Sequence, residues 1–334
     1  MVTLQDIAEK VGVSTCAVSH AINGTGRLSP ETRERILSVV RELGYRKNYA
    51  AAALSSGNSR MIGVVFPSLR LYLYELMELM EKAFRQHGYS LLYTFFERKV
   101  DHLSDFAAAV ERVLQMNVSA IITPTFEYVP DTATPIILWG NDIPGFDCVF
   151  SDKIHFAHDI IGKLWEMGHR RIGIAGLVSE IRYTTMREEL KRRGTSFAME
   201  FAQPVPYDPR QFGIETIQHY LSLREKPTVI LFHSDEIAVA AMGEAIRSGI
   251  RVPEELCIVG SDNLRPYRDV IPSLATYELS FEKMAELLAE VTLNRLRHPK
   301  LPLQRRGIRM RFVPGDSLCN IDKQSNIQNK RGKK

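Results

Sequence analysis

Cysteine is scarce: four residues in 334, at Cys16, Cys148, Cys257 and Cys319, with no C-x-x-C pair. That spacing fits reduced thiols better than a zinc site or a disulfide framework. No apolar run approaches the ~20 residues that a membrane helix needs, so no span and no membrane partner are expected. The opening Met1-Val2-Thr3-Leu4-Gln5-Asp6 lacks the basic start and apolar stretch of an export signal, so a cytoplasmic location is expected. G-x-G-x-x-G, Walker A, G-x-S-x-G and H-E-x-x-H are all missing. His155 and His158 lie three apart without a third ligand in sight, which reads as a solvated helix face. Neither a catalytic constellation, nor a metal, nor a cofactor is expected.

What is present is ordinary in bulk and uneven in place. Hydrophobic content of 45% and charged content of 25% suit a soluble chain with a sizeable core. The length suggests two or three compact units. The net charge is +4, yet residues 1–60 hold eight basic residues against five acidic ones. From Lys323 onward there are five basic residues and no acid, so the remainder is net acidic. A basic head on an acidic body points toward nucleic acid.

Within that head, Thr3 precedes an amphipathic stretch whose Ile7, Ala8 and Val11 share one face, with Asp6 placed to complete a capping box. Gly12 ends this helix by adopting a positive φ. Ser14 caps a second helix, read from Thr15 to Ile22, with Val18 facing inward. Ser29-Pro30-Glu31 opens a third, carrying Ile36, Val40 and Leu43 and closed by Gly44. Helix, glycine turn and helix is the helix-turn-helix pattern, although a plain three-helix bundle gives the same bare trace.

Ser55-Ser56-Gly57-Asn58-Ser59 is a polar break. Beyond it, β-type runs alternate with helical ones. Strands are expected at 61–66, 91–96, 120–123, 136–139, 171–175, 229–232 and 256–260. Helices are expected at 74–87, up to 116, and at 156–167, 183–193, 213–223 and 236–247. Such alternation predicts parallel, doubly wound sheets, and two successive sets predict two lobes with a ligand cleft between them.

The ordered string Val2-Thr3-Leu4-Gln5-Asp6-Ile7-Ala8, Gly12-Val13-Ser14, Val18-Ser19, Asn23, Ser29 through Arg33, and Leu43-Gly44-Tyr45 resembles the LacI/GalR (lactose-repressor) family. Further markers follow in the family order: Gly168 through Gly173, Ser234-Asp235-Glu236, Arg251 through Glu254, Val259 through Asn263, and Ile271 through Leu274. The resemblance covers residues 2–317. It implies that the second helix enters the major groove of double-stranded DNA with Thr15, Cys16 and His20 toward base edges. Ser19 and Asn23 would hold phosphate or fix the helix and loop. Thr3 would meet backbone phosphate, and Ser14 belongs to the same DNA-contacting set. Ala17 and His20 stand where the family usually has Thr and Arg. Asn48, Ala51 and Leu54 match the family's hinge helix, with Leu54 the residue that would wedge into the minor groove. Read from the residues alone, that segment is an alanine-rich linker.

For the body, the resemblance implies a periplasmic-binding-protein-like effector domain of two lobes. Arg182, Asp235 and Asp262 are the candidate polar effector ligands, with Tyr72, Leu73, Trp139 and Phe232 as walls. Arginine and aspartate suit a polyol, and aromatic faces suit sugar C–H surfaces. Asp235 also sits where it could cap the helix from Glu236, and Trp139 where it could be plain core. The usual N-P-F-F is Leu71-Tyr72-Leu73-Tyr74 here, and Pro124 and Gly140 replace polar positions. These departures tell against a familiar disaccharide or nucleobase. The expected organisation is a head at 1–46, a hinge and linker at 47–59, an effector domain at 60–318 and a basic tail at 319–334. Within the effector domain the lobes are 60–150 with 281–318, and 151–280. The tail has no leucine repeat. The expected molecule is a homodimeric, sequence-specific transcription regulator, a repressor, acting on a pseudo-palindromic operator under a sugar-like effector.

Overall fold

Each head helix begins at a hydroxyl that accepts a hydrogen bond from an otherwise orphaned backbone N–H. Thr3 caps α1 (Leu4–Val11), Ser14 caps α2 (Thr15–Asn23) and Ser29 caps α3 (Pro30–Glu42). The α1 cap is a complete capping box with Asp6. Gly12 then turns the chain at φ 74°, a left-handed conformation that glycine adopts without strain. Ile7, Ala8, Val18, Ala21 and Ile36 are buried between the three helices, and Val40, Leu43 and Tyr45 close over them. Lys10 pairs with Glu42 at 2.6 Å, joining α1 to α3.

The computed structural model describes residues 2–45, 59–67, 71–96, 102–124, 132–176, 180–201 and 208–321, without the side chains of 71, 72, 102, 103 and 180. The expected hinge residues Asn48, Ala51 and Leu54 lie outside the described residues. The chain forms two compact units, Met1–Arg60 and Met61–Lys334.

In the second unit, strands buried on both faces read as continuous apolar runs, as parallel strands covered by helices must. The first lobe holds β1 (Met61–Pro67), β2 (Ser90–Phe96), β3 (Ala120–Thr123), β4 (Ile136–Gly140) and β5 (Asp147–Ser151). With β11 (Arg305–Ile308) they form one parallel sheet in the order β2-β1-β3-β4-β5-β11. Val64 lies beside Tyr93 on one side and Ile122 on the other. On one face, α4 (Leu71–Arg85) and α10 (Phe281–Arg297) complete a core around Phe66, Leu76, Met80 and Leu288. On the other, α5 (His102–Gln115) supplies Phe106, Val110 and Val113.

The second lobe repeats the plan. Strands β6 (Ile172–Ala175), β7 (Met199–Phe201), β8 (Val229–Phe232) and β9 (Cys257–Val259) run parallel in the order β7-β6-β8-β9. One face carries α6 (Lys153–Glu166) and α7 (Glu180–Arg192). The other carries α8 (Pro209–Ser222) and α9 (Asp235–Arg247). A third, antiparallel pair joins β10 (Thr276–Glu278) to β12 (Arg311–Val313).

The chain passes between the lobes three times: between β5 and α6, between β10 and α10, and between β11 and β12. The last passage differs from the expected boundary, which kept residues 281–318 together. Strand β11 joins the first sheet, but Met310, Phe312, Leu318 and Cys319 pack into the second-lobe core. All four cysteines are free thiols, and Cys257 and Cys319, distant in sequence, meet with sulfurs 3.4 Å apart.

Candidate functional site

Two regions carry the expected functional residues, and each is described within its own unit. In the head, Thr15 and Cys16 are exposed on the first turn of α2. Ser14 Oγ accepts from the Ala17 N–H at 3.2 Å, so its role in the free chain is the cap. Asn23 Nδ2 donates to Ser19 Oγ at 3.2 Å, one turn away. His20 differs from the outward base reader that the resemblance implies. Its Nδ1 bonds Thr25 Oγ1 at 3.1 Å, and the ring lies so close to Gly26 that a Cβ there would fall 2.6 Å from it. Thr3 is also engaged, its hydroxyl and backbone N–H both donating to Asp6 at 2.9 and 2.8 Å. These bonds hold the Asp6 carboxyl below its ordinary range. Arg33, read only as part of the family string, donates to the carbonyls of His20, Ala21 and Thr25 at 3.2–3.4 Å. It thereby satisfies the C-terminal carbonyls of α2, as cations at helix ends do.

In the body, the C-terminal ends of β6, β8 and β9 open onto a narrow cavity beside α6 and α7. Parallel α/β sheets place ligands at this end of their strands, where loops diverge and backbone groups are free. Phe156, Ile174, Leu231, Phe232 and Val259 make the apolar lining, and Arg182 and His233 supply its polar edge. The Arg182 guanidinium lies over the Phe156 ring at 5.0 Å, donates to His233 Nδ1 at 2.8 Å and reaches Ser261 Oγ at 3.5 Å. Burial pulls its pKa down, and the charge of Asp262 opposes that shift. The Asp262 carboxyl is pushed well above the carboxylate range, first by burial and then by the neighbouring Asp235, with Arg182 pulling the other way. Asp262 sits at φ 108° and Asn263 at φ 55°, a strained corner that aims this loop.

Lys153 was not singled out from sequence. It opens α6, one turn before Phe156, and donates to Asn141 Oδ1 just beyond β4, linking the two lobes at the cavity side. Burial first, and then the Arg182 charge, lower its pKa to about 8. The one signal for it is its place directly after β5, a strand whose short Asp147–Ser151 run escaped the apolar pattern.

The remaining candidates fall elsewhere. Asp235 is not a cap: it begins α9, and Ser234 Oγ accepts from the Ile237 N–H as the cap. Asp235 is 1% exposed, and its oxygens accept from Thr276 Oγ1 at 2.5 Å and the Leu264 N–H at 2.8 Å. It therefore pins the Ser261–Leu264 loop that carries Asp262. Leu73 is fully buried in the first-lobe core and offers no wall. Trp139 is core as well, packed edge-on against Phe66 at 5.7 Å. The Tyr72 side chain lies outside what is described. His158 bonds Glu189 at 2.9 Å, and no cluster of three metal-ligating side chains occurs among the described residues.

Comparison with known proteins accords with both regions. Residues 3–48 match the model for bacterial regulatory proteins of the lacI family, and residues 161–318 match a periplasmic binding protein-like domain. The HTH-type transcriptional repressor PurR of Mannheimia succiniciproducens is 26% identical over 315 residues, covering 89% of this chain and 93% of that protein. PurR of Edwardsiella ictaluri is 28% identical, covering 92% and 97%. Among solved structures, the Lac repressor dimer bound to operator and the anti-inducer ONPF superposes with a TM-score of 0.81 at 22% identity, covering 95% of this chain and 98% of that one. The regulator CelR in complex with cellobiose gives 0.66 at 19% identity, covering 95% and 100%. The fold is thus that of Lac repressor, a helix-turn-helix head joined to a two-lobed binding domain. The head is that of the LacI family of bacterial regulatory proteins, and the body carries a periplasmic binding protein-like domain. The chain is a DNA-binding transcriptional repressor, not an enzyme.

Proposed function

We infer that this repressor acts in the cytoplasm as a homodimer on a pseudo-palindromic operator, and that a small polyol-like effector, a sugar or sugar derivative, sets its affinity. The observation that carries the effector reading is the Arg182 guanidinium, braced by Phe156, His233 and Ser261 at the mouth of an apolar cavity. A forked cation fixes hydroxyl or acid oxygens, while the apolar lining meets C–H faces. Lys153, at the same side, favours a derivative that carries an acidic group. In the head, Thr15 and Cys16 would read bases and Ser19, Asn23 and Thr3 the backbone, with Thr3 and His20 first giving up their internal bonds. Asn48, Ala51 and Leu54 would form the hinge that orders on DNA.

The test is a thermal-shift screen of sugars, sugar phosphates and sugar acids. A ligand at 100 times its Kd stabilises by ~2.7 kcal/mol. The best hit is then titrated against wild type and Arg182→Ala. We expect the variant to lose effector affinity by a factor of ~10 or more while binding operator as before. Unchanged effector affinity in the variant would remove Arg182 from the site.

A further inference from the structure

The last described segment of the chain lies as a strap along the second lobe. Gly315 passes so close to Leu274 and Ala275 that a Cβ there would fall 2.3 Å from their backbone. Ser317 is fully buried, its hydroxyl donating to the Ile258 carbonyl at 2.7 Å. His169, also fully buried, bonds the Cys319 carbonyl through Nε2 at 3.1 Å and Thr228 through Nδ1 at 2.9 Å. These contacts hold the Cys319 side chain against Cys257, the first residue of β9, with the sulfurs 3.4 Å apart. Cys257 is 1% exposed, whereas Cys319 is partly open to solvent. Both sulfurs also lie near the Pro253 carbonyl, at 3.4 and 3.6 Å.

We propose that Cys257 and Cys319 are a redox pair that closes into a disulfide when a hydroperoxide reaches Cys319. The remaining gap to the ~2.05 Å of a disulfide is small. The two thiols are also chemically unequal. The hydrogen bond between the two sulfurs holds the Cys319 thiol below its ordinary pKa, against burial and the Glu254 charge. That same bond and burial push Cys257 up. The partly exposed, more acidic thiol is the one that attacks. The Cys319 thiolate takes the terminal oxygen of the hydroperoxide, whose O–O bond breaks. The leaving oxygen departs as an alcohol or water after gaining a proton, and Cys319 becomes a sulfenic acid. The Cys257 sulfur then attacks the Cys319 sulfur, the S–O bond breaks, and hydroxide leaves as water with the Cys257 proton. Two thiols have lost two protons and two electrons, and the peroxide has gained them. The bridged residues stand 62 apart. The loop between them contains α10 and β11, the excursion into the first lobe, so the bond fastens the returning strap to the second lobe.

The test treats the full-length protein with hydrogen peroxide and maps its peptides. We expect a Cys257–Cys319 linked peptide, lighter by two hydrogen atoms and restored by a dithiol reductant, together with a higher melting temperature than the reduced protein. Cys257→Ser should stop the reaction at a Cys319 sulfenic acid that a dimedone probe captures, and Cys319→Ser should leave the Cys257 thiol intact. Exposed Cys16 reports whether the peroxide dose sufficed. Oxidised Cys16 with no linked peptide overturns the proposal, as does loss of the Cys257 thiol in Cys319→Ser at the wild-type rate. If either serine variant fails to fold, the wild-type peptide map alone decides.

Discussion

Asp235 brings a carboxyl into the second-lobe interior, where desolvation and hydrogen bonding compete. Burial raises its pKa from 3.8 to about 6, although Thr276, Leu264, Asn263 and Ser261 all favour the ionised form. The folded state therefore holds the proton more tightly than the unfolded chain does. Stability from this group is full below pH ~4 and is lost as pH rises to ~6, by up to ~3 kcal/mol. Removing the carboxyl leaves the Leu264 N–H and the Thr276 hydroxyl without their acceptor, at a cost of ~1–3 kcal/mol each. Asp235→Ala should thus destabilise the body by ~2–4 kcal/mol near pH 4, and its deficit relative to wild type should shrink as pH rises to 6. Denaturant titrations at both pH values measure this, and a deficit that grows with pH would mean the carboxyl is held ionised. The sequence placed Asp235 beside a helix start, but capping by it or by Ser234 differs by one residue in a boundary that pattern alone does not fix. Arg182 was legible from family position. Its partners His233 and Phe156 were not, because they come from other strands and helices.

Between elements, close approach decides where glycine is needed. Gly213 lies buried in α8 against α9, and a Cβ there would fall 2.7 Å from the Ile237 carbonyl oxygen and 2.9 Å from Ala240 Cβ and Ala241 N. Helix propensity alone favours alanine by ~1 kcal/mol. Forcing a methyl against backbone costs ~1–3 kcal/mol, so the clash prevails. Gly213→Ala should destabilise the body by up to ~2 kcal/mol, read from its thermal midpoint; a stabilised variant would show that the two helices can spread freely. In the head, Thr3→Ala removes the capping box of α1 and should cost ~1 kcal/mol there. Amide exchange in residues 4–11 reads that loss. Long helices and the central strands were legible because their apolar periodicity is unbroken. The strands that escaped are short or on an edge: β7, β10 and β12 have three residues each. Strand β11 is an edge strand whose Arg305 and Arg306 face solvent, so it carries no apolar run, as exposed edges rarely do. The 17-residue α10 escaped as well, although its Ser280 cap and its apolar Phe281, Met284, Ala285, Leu288 and Ala289 carry the helical period.

For the whole molecule, the charge of the head and the cavity of the body are tied by thermodynamics. Residues 1–60 carry eight basic residues against five acidic ones, so operator binding should release counterions. Two heads with several phosphate contacts each should lose ~10³-fold or more in affinity between 50 and 200 mM salt. If the effector changes operator affinity by some factor, operator must change effector affinity by the same factor and in the same direction. A typical coupling of ~1–3 kcal/mol makes that factor ~5–150. The measurement pairs two titrations at one salt concentration: duplex binding with and without saturating effector, and effector binding with and without saturating duplex. Equal factors are expected for wild type, and a factor near one in both directions for Arg182→Ala. Unequal factors would mean that the small molecule also binds outside the cavity, and a salt-independent operator affinity would remove the head from DNA altogether.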